Sequence, residues 1–365
     1  MKKSCVLVKI KKMTDVHTLL NLTVEKNASD LHLQVGMPPC LRIYGELSFL
    51  TEYGILTDED TEILLFSLLN EEQKEILANN KEIDFSFELA TKGRFRVNVY
   101  HQKGSLAGAL RFIPLKIKTV DDLLLPPICH EFAKLRQGFV LVTGPTGHGK
   151  STTLAAIIQE ILQNRSCNVI TIEDPIEFVF NSQRSLISQR ELGLDTHSWS
   201  AALRSALRED PDVVLIGEMR DYDTIAAALT IAETGHLVFS TLHTNSASQT
   251  IDRIIDAFPE EAKSQVRIQM ATSLEAVFSQ RLVPVINGGR MVAYEVMVAT
   301  SAIRTAIRDK KTHMLDNIMQ TSGAYGMSTM ETSLVKLVMD GKISLDTARL
   351  FALRPEEVTR LMKGS

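Results

Sequence analysis

The fold is decided by the stretch Phe139-Val-Leu-Val-Thr143-Gly144-Pro-Thr-Gly-His-Gly149-Lys150-Ser151-Thr152. Its first five residues are an apolar run that predicts a buried strand. The next eight match the phosphate-binding pattern G-x-x-x-x-G-K-[ST], and a helix is expected from Thr152 to Asn164. In such a loop backbone N–H groups turn toward the phosphates, the lysine reaches the β- and γ-phosphates, and the serine hydroxyl binds Mg²⁺. The predicted ATP-binding residues are Gly144, Pro145, Thr146, Gly147, His148, Gly149, Lys150, Ser151 and Thr152.

Three more apolar runs on the C-terminal side of this loop predict further strands of the same sheet. They are Val169–Ile172, Val213–Ile216 and Leu237–Ser240. Short apolar strands that alternate with helices are typical of a parallel α/β sheet covered on both faces. We therefore expect an α/β core over residues 119–300, followed by a helical region over residues 301–365.

The residues before the core have a different pattern. In 94–99 the apolar residues alternate with polar ones, which predicts a strand with Arg94 and Arg96 on its polar face. A following strand at 107–113 carries Arg111, and Asn70 with Gln73 predicts a helix-capping box. Residues 13–113 are accordingly expected to form a small α+β domain, joined to the core by a basic connector over residues 114–118.

Composition limits the class of protein. The chain has 365 residues, 44% of them hydrophobic, and a formal net charge of −4. This balance excludes a disordered chain and disfavours a dedicated nucleic-acid binder. The apolar run near the start is too short for a secretory signal, and no window is long enough to span a membrane. Residues 1–12 are interpreted as an extension, which leaves either Met1 or Met13 as the initiator. The cysteines have no metal or disulfide spacing and are expected to be free thiols; they are Cys5, Cys40, Cys129 and Cys167.

Carboxylates follow two of the predicted strands. Glu218 follows Val213–Ile216 after a single glycine, where P-loop ATPases place an acidic residue for metal and water. The segment after Val169–Ile172 contains Glu173, Asp174 and Glu177, one of which could orient or deprotonate the attacking water. The alternatives are a solvated surface glutamate for Glu218 and a plain acidic turn for the other three.

His236 and His243 lie at the two ends of the predicted strand Leu237–Leu242. Their odd separation places them on opposite faces of an ideal strand, which argues against a shared metal. One of them could sense the γ-phosphate. The alternative is that both are ordinary hydrogen-bonded histidines at the ends of a strand.

Four segments together resemble the secretion and pilus motor ATPases: Gly144–Ser151, Thr171–Phe178, Gly217–Asp221 and Thr234–Thr244. They correspond to that family's Walker A, Asp box, Walker B and His box. Within the family the chain is most similar to the type IV pilus retraction ATPases. It has a compact N-terminal domain, lacks the four-cysteine insertion of assembly motors, and carries a C-terminal signature at Ala302–Asp309.

The resemblance implies an architecture and roles for particular residues. It implies a RecA-like P-loop ATPase core, a PAS-like N-terminal domain and a homo-hexameric ring that uses ATP and Mg²⁺. Glu177 would be the catalytic carboxylate, Lys150 and His243 would act beside it, and Ser151 and Glu218 would hold Mg²⁺. The His box would comprise His236 and His243. The candidate arginine fingers or phosphate contacts are Arg94, Arg96, Arg111, Arg208 and Arg253.

The resemblance also implies a function. We expect a cytoplasmic motor, peripheral at the inner face of the cytoplasmic membrane, that drives pilus retraction and twitching motility by acting on an inner-membrane platform protein. An accessory or regulatory retraction ATPase and a pilus assembly motor are alternatives. A nucleic-acid translocase is a further alternative, which the acidic charge balance disfavours, so no direct nucleic-acid partner is expected.

Overall fold

The computed structural model describes residues 15–89, 92–114 and 117–364. The chain divides into two compact units, residues 1–116 and 117–365. The expected extension 1–12 lies outside the described residues, as do residues 115 and 116 of the expected connector. Cys40, Cys129 and Cys167 are free thiols, and Cys5 is also outside the described part.

Over its described residues, the first unit is an antiparallel sheet of six strands in the order β3-β2-β1-β6-β5-β4, with helices that bury one of its faces. The strands are β1 (Asp30–Gln34), β2 (Cys40–Ile43), β3 (Glu46–Phe49), β4 (Glu82–Leu89), β5 (Gly93–Gln102) and β6 (Ser105–Pro114). The helices are α1 (Val16–Glu25), α2 (Asp58–Phe66) and α3 (Glu71–Asn80), with a 3₁₀ turn at Thr51–Tyr53. The capping box of α3 forms between Asn70 and Gln73 as the sequence predicts.

Strand β5 shows why this sheet has one apolar and one polar face. Phe95 and Val97 are fully buried against the helices, because alternate side chains of a strand point to the same side. Arg94 and Arg96 lie on the other face and are half-buried. Arg111 of β6 stands directly opposite Arg96 in the strand register, so the three arginines share one face.

Over its described residues, the second unit contains a seven-stranded sheet in the order β13-β12-β7-β11-β10-β8-β9. Its strands are β7 (Gly138–Thr143), β8 (Asn168–Glu173), β9 (Leu186–Glu191), β10 (Val213–Ile216), β11 (Leu237–Leu242), β12 (Leu274–Pro284) and β13 (Arg290–Val298). Its helices are α4 (Ile128–Lys134), α5 (Lys150–Asn164), α6 (Trp199–Ala206), α7 (Tyr222–Glu233), α8 (Ala247–Asp256), α9 (Glu260–Ser273), α10 (Ser301–Arg308), α11 (Leu315–Thr321), α12 (Met330–Met339), α13 (Leu345–Phe351) and α14 (Pro355–Gly364), with 3₁₀ turns at Thr312–Met314 and Gly323–Tyr325.

Strand β7 is buried on both faces, and its side chains alternate between two cores. Phe139 and Leu141 pack into one core, while Val140 and Val142 pack into the other. A central strand covered on both sides must be apolar throughout. The continuous apolar run that begins the P-loop stretch is therefore explained by its position in the sheet.

One feature of the sheet differs from the sequence expectation. The sequence predicts a parallel sheet, but β12 and β13 form an antiparallel hairpin, so the sheet is mixed. The hairpin was not predicted because its strands pair with each other through a local turn, without the helical crossover that signals parallel strands. The hairpin carries the C-terminal helices: Val283 and Ala293 pack with Leu334 of α12 and Val358 of α14 in a separate small core.

Candidate active site at the carboxyl edge of the sheet

The predicted chemical residues gather where four parallel strands end. The loops that leave β7, β8, β10 and β11 all emerge at the carboxyl edge of the sheet, which is where open α/β folds bind their ligands. The predicted P-loop, Glu177, Glu218 and His243 each belong to one of these four loops. Segments separated by up to 99 residues in sequence are thus brought to one edge.

The P-loop takes a backbone shape that needs its glycines. Gly144 has φ +142°, and a Cβ there would lie 2.3 Å from the carbonyl oxygen of Gln280. Gly147 is in the left-handed region with φ +78°, which other residues adopt at a cost. The loop then enters α5, where Lys150 is buried and its Nζ donates to the carbonyl oxygens of Gly144 at 3.0 Å and Pro145 at 3.1 Å.

Residues of strand β12 form hydrogen bonds with the P-loop. No sequence motif predicts these residues. The fully buried amide of Gln280 donates to the carbonyl of His148 at 2.7 Å and accepts from Oγ1 of Thr153 at 2.7 Å. The backbone N–H of Leu282 donates to Nδ1 of His148 at 2.9 Å. Burial lowers the pKa of His148, and nearby cations add to the effect, so the ring is held in the neutral form that can accept this hydrogen bond.

The carboxylates after β8 have different surroundings. Glu173 is buried, accepts from Oγ1 of Thr171 at 2.6 Å and from Nε2 of Gln189 at 3.2 Å, and its pKa is raised by burial. Asp174 and Glu177 are exposed. Burial lowers the pKa of Lys150, while the negative charges of Glu177 and Glu218 oppose that shift. Glu177 is therefore the carboxylate of this segment that both reaches solvent and acts electrostatically on the P-loop lysine.

His243 connects the P-loop with the acidic end of β10. Its Nδ1 lies 3.2 Å from Oγ1 of Thr146 and 3.4 Å from Nζ of Lys150. Its Nε2 lies 3.3 Å from Oε2 of Glu218. The arrangement fits a ring that accepts from lysine at Nδ1 and donates to the carboxylate at Nε2. Glu218 also pairs with Arg220 through its other oxygen, at 2.5 Å.

Two predicted residues lie at the opposite edge. His236 precedes β11, and its Nδ1 is close to Oγ1 of Thr234 at 3.0 Å and the carbonyl of Ile231 at 3.1 Å. Arg208 is exposed in the turn between α6 and the start of β10. Because both precede the strands whose far ends form the site, the fold does not bring either of them to the P-loop of the same chain.

The remaining arginine candidates divide between the two units. Arg253 of α8 lines a pocket of about 430 Å³, together with Arg220, His243 and Gln249. It therefore lies beside the acidic end of β10. The other candidates belong to the first unit, where Nε of Arg111 pairs with Asp30 at 2.9 Å and Nε of Arg96 lies 3.9 Å from Asp84; the third member of the set is Arg94.

The site offers oxygen ligands suited to Mg²⁺. Ser151 is the second residue of α5 and carries a hydroxyl, and the side chain of Glu218 is 15% exposed just after β10. Mg²⁺ is held through one or two protein oxygens together with substrate phosphates, rather than by a protein cage. The described residues contain no group of three or more His, Cys, Asp or Glu placed to hold a metal by themselves.

Comparison with known proteins finds a matching family model and relatives that are similar over most of the chain. Residues 127–288 match the family model described as Type II/IV secretion system protein. The type IV pilus retraction ATPase PilT of Pseudomonas aeruginosa is 45% identical over 342 residues, which cover 94% of this chain and 99% of that protein. The type IV pilus ATPase PilU of the same organism is 38% identical over 94% of this chain and 90% of its own.

A solved structure extends the similarity to the fold. The crystal structure of the pilus retraction motor PilT with bound ADP superposes with a TM-score of 0.89 at 46% identity. The match covers 95% of this chain and 99% of that chain. Both units, including the helices after residue 301, therefore have counterparts in a nucleotide-binding relative.

Proposed function

The chain belongs to the family of the type IV pilus retraction ATPases, and on this premise we propose that it is a Mg-ATP-hydrolysing hexameric motor that drives pilus retraction. The observation that carries the proposal is the meeting of Lys150, Glu177, Glu218 and His243 at one edge of the sheet. A P-loop lysine with carboxylates beside it fits phosphoryl transfer from ATP to water, because that reaction needs positioning and charge neutralisation more than covalent chemistry.

Each residue has a distinct role in this proposal. The P-loop backbone and Lys150 bind the phosphates, and Ser151 and Glu218 would hold Mg²⁺, which neutralises phosphate charge when bound. Glu177, which is exposed near the lysine, orients the attacking water. His243 links the phosphate side of the site to Glu218 through its two ring nitrogens.

In this proposal arginines complete the site, and their contribution depends on the hexameric ring. Arg94, Arg96 and Arg111 share one face of the first unit, and we propose that this face supplies positive charge to bound nucleotide. In well-studied P-loop enzymes such an arginine accounts for about 10³–10⁵ in rate. Arg208 lies at the amino edge of the sheet, so a contact with phosphate would have to be made in a neighbouring subunit.

The proposed motor has a PAS-like domain at residues 13–113, a RecA-like core at 119–300 and helices at 301–365. Hydrolysis would change the arrangement of the first two about the connector 114–118. Among the helices that the structure describes, none is long and apolar enough to cross a bilayer. We propose that the motor works at the cytoplasmic face of the inner membrane, where a membrane-embedded platform protein would receive the work.

The proposal is tested by counting surface pili in a strain that lacks this protein. Cells without it are expected to carry excess pili and to lose twitching motility. A Glu218→Ala copy should fail to restore motility, because it removes the carboxylate at the end of β10. A Glu261→Ala copy is the matched control, since Glu261 is exposed on α9 away from these loops, and it should restore motility fully.

Other outcomes assign other functions. Bald cells would contradict retraction and indicate an assembly motor. The similarity to PilU favours a second candidate, an accessory retraction ATPase. A purified protein that turns over ATP very slowly, in a strain that still retracts pili with a second motor, would support that candidate.

A further inference from the structure

Glu295 is a buried carboxylate outside the site described so far. It lies in the middle of β13 and is 1% exposed. Its Oε1 accepts from the backbone N–H of Ala247 at 2.7 Å, and the carboxylate also accepts from the backbone N–H of Met330. Ala247 and Met330 are the first residues of α8 and α12. One carboxylate thus holds the starts of two helices, whose first N–H groups have no partner inside the helix.

Helix α8 is tied to the segment that carries His243. The backbone N–H of Asn245 donates to Oε1 of Gln249 at 3.2 Å. Oγ1 of Thr244 lies 2.6 Å from Oγ1 of Thr250. Because these bonds join the two residues after His243 to the first turn of α8, a shift in the start of α8 is passed to the imidazole.

Helix α12 belongs to the C-terminal helices. Its second residue, Glu331, is fully buried and pairs with Nη2 of Arg354 at 3.2 Å. Arg354 also pairs with Asp316 of α11 at 2.9 Å. The start of α12 is therefore part of a network that joins three C-terminal segments.

We propose that Glu295 is a positioning residue of the ATPase reaction: by holding the starts of α8 and α12 together, it fixes His243 beside Lys150 and Glu218 and links that position to the C-terminal helices. The inference rests on the proposed role of His243 in ATP hydrolysis. The role is one of positioning because, over the described residues, the hydrogen bonds of Glu295 go to the starts of two helices and none goes to the P-loop.

The surroundings of Glu295 give the proposal a pH signature. Burial raises the pKa of Glu295 to about 7. Asp316 of α11 and Glu331 of α12 contribute to this rise, the hydrogen bonds from Ala247 and Met330 oppose it, and the positive charge of Arg281 on β12 faces the same group. Protonation weakens the bonds to both helix starts, because a charged acceptor binds an N–H more strongly than a neutral one. The maximal turnover rate should therefore increase with pH, with a midpoint near 7.

The test compares the ATPase kinetics of three full-length proteins between pH 5.5 and 8.5: wild type, Glu295→Gln and Glu331→Gln. At pH 8, Glu295→Gln should lower kcat about 10-fold, with KM within about threefold, since the bonds from Ala247 and Met330 lose their charged acceptor and the ATP contacts remain. The difference in kcat between Glu295→Gln and wild type should shrink toward pH 5.5, where wild-type Glu295 is protonated.

Glu331→Gln is the matched control, because it is an equally buried glutamate of the same region whose ion pair is with Arg354. It weakens the buried pair with Arg354 and should lower the free energy of unfolding, but it should lower kcat at pH 8 clearly less than Glu295→Gln does, because the bond from Glu295 to Ala247 remains. Its midpoint should move to lower pH, because the change removes a negative charge that faces Glu295. The imidazoles of the site are identical in all three proteins, so differences between the profiles report on Glu295.

The outcomes separate this inference from the proposed function. A wild-type protein without ATP turnover contradicts the function itself. If wild type turns over ATP and Glu295→Gln has the same kcat at every pH, only the role of Glu295 is overturned. An equal loss of kcat in both variants at all pH values shows a merely structural role and also overturns it. If Glu295→Gln does not fold, a pH midpoint that is the same in wild type and Glu331→Gln overturns it.

Discussion

Strand β11 has a histidine at each end, and the two histidines have opposite surroundings. His236, at the amino edge, contacts Thr234 and the carbonyl of Ile231 in the last turn of α7. His243, at the carboxyl edge, contacts Thr146, Lys150 and Glu218, which come from other loops, and its side chain remains 48% exposed.

The same contrast holds along the whole sheet. At the amino edge, polar side chains close the chain on itself: Asp212 accepts from the backbone N–H of Asn168 at 2.8 Å, and the amide of Asn168 donates to the carbonyl of Glu209 at 2.8 Å. At the carboxyl edge, side chains of different loops face each other and solvent. At the amino edge the polar groups therefore stabilise turns, whereas at the carboxyl edge charged groups remain accessible to a substrate.

The largest expected effect is on Glu177. Glu177→Gln should lower kcat by about 10²–10⁴, the usual contribution of a general base, because the amide cannot accept a proton from water. Nucleotide binding should remain, since the P-loop is unchanged. Steady-state ATPase rates and binding of a fluorescent nucleotide measure the two quantities separately.

A carboxylate at the amino edge provides the control for Glu177. Asp210 is exposed at φ +51°, a conformation that asparagine adopts as easily as aspartate. Asp210→Asn should leave kcat unchanged. Parent-like turnover by Glu177→Gln would remove Glu177 from the mechanism and weaken the contrast between the two edges.

A smaller effect is expected from the two histidines of β11. His243→Ala should lower kcat about 10–100-fold, because the bonds to Lys150 and Glu218 involve charged groups worth about 1.5–3 kcal/mol each. His236→Ala should keep kcat and lose only about 0.5–1.5 kcal/mol of unfolding free energy from its local hydrogen bonds. Turnover rates and urea unfolding of the two variants, measured together, check both statements. Equal losses of kcat would mean that the amino edge also contributes to the site, through a neighbouring subunit.

Local sequence patterns were sufficient for the P-loop and for several strands. The apolar runs at β7, β8, β10 and β11 and the alternation in β5 follow directly from which faces each strand buries. The edge to which each histidine belongs was also available from sequence, since a residue that precedes a parallel strand lies at the amino edge. Motif membership predicts a site role for His236, but strand direction places both His236 and Arg208 at the amino edge.

The supporting residues could not be predicted in this way. Gln280 and Glu295 lie in no recognised motif, and each acts on a segment 48 to 132 residues away in sequence. Their roles depend on β12 lying beside β7 and on β13 carrying the starts of two helices. Such contacts come from tertiary packing, and neither composition nor periodicity encodes them.

The smallest expected effect concerns His148 and the stability of the P-loop. Burial lowers the pKa of His148 in the folded chain. The unfolded chain therefore takes up a proton first as the pH falls below about 6.5, and stability that is present above that pH is lost on acidification.

His148→Ser removes both the acceptor for the N–H of Leu282 and this titration. At pH 8 the variant should be less stable by about 0.5–1.5 kcal/mol, the net contribution of one hydrogen bond. The difference should narrow as the pH falls toward 5, because only wild type loses the contribution of the neutral ring. Urea unfolding of both proteins over this pH range measures the difference in unfolding free energy. Because Glu295 is present in both proteins, its titration does not contribute to that difference. A gap that stays constant with pH would show that the ring does not support the loop in its neutral form.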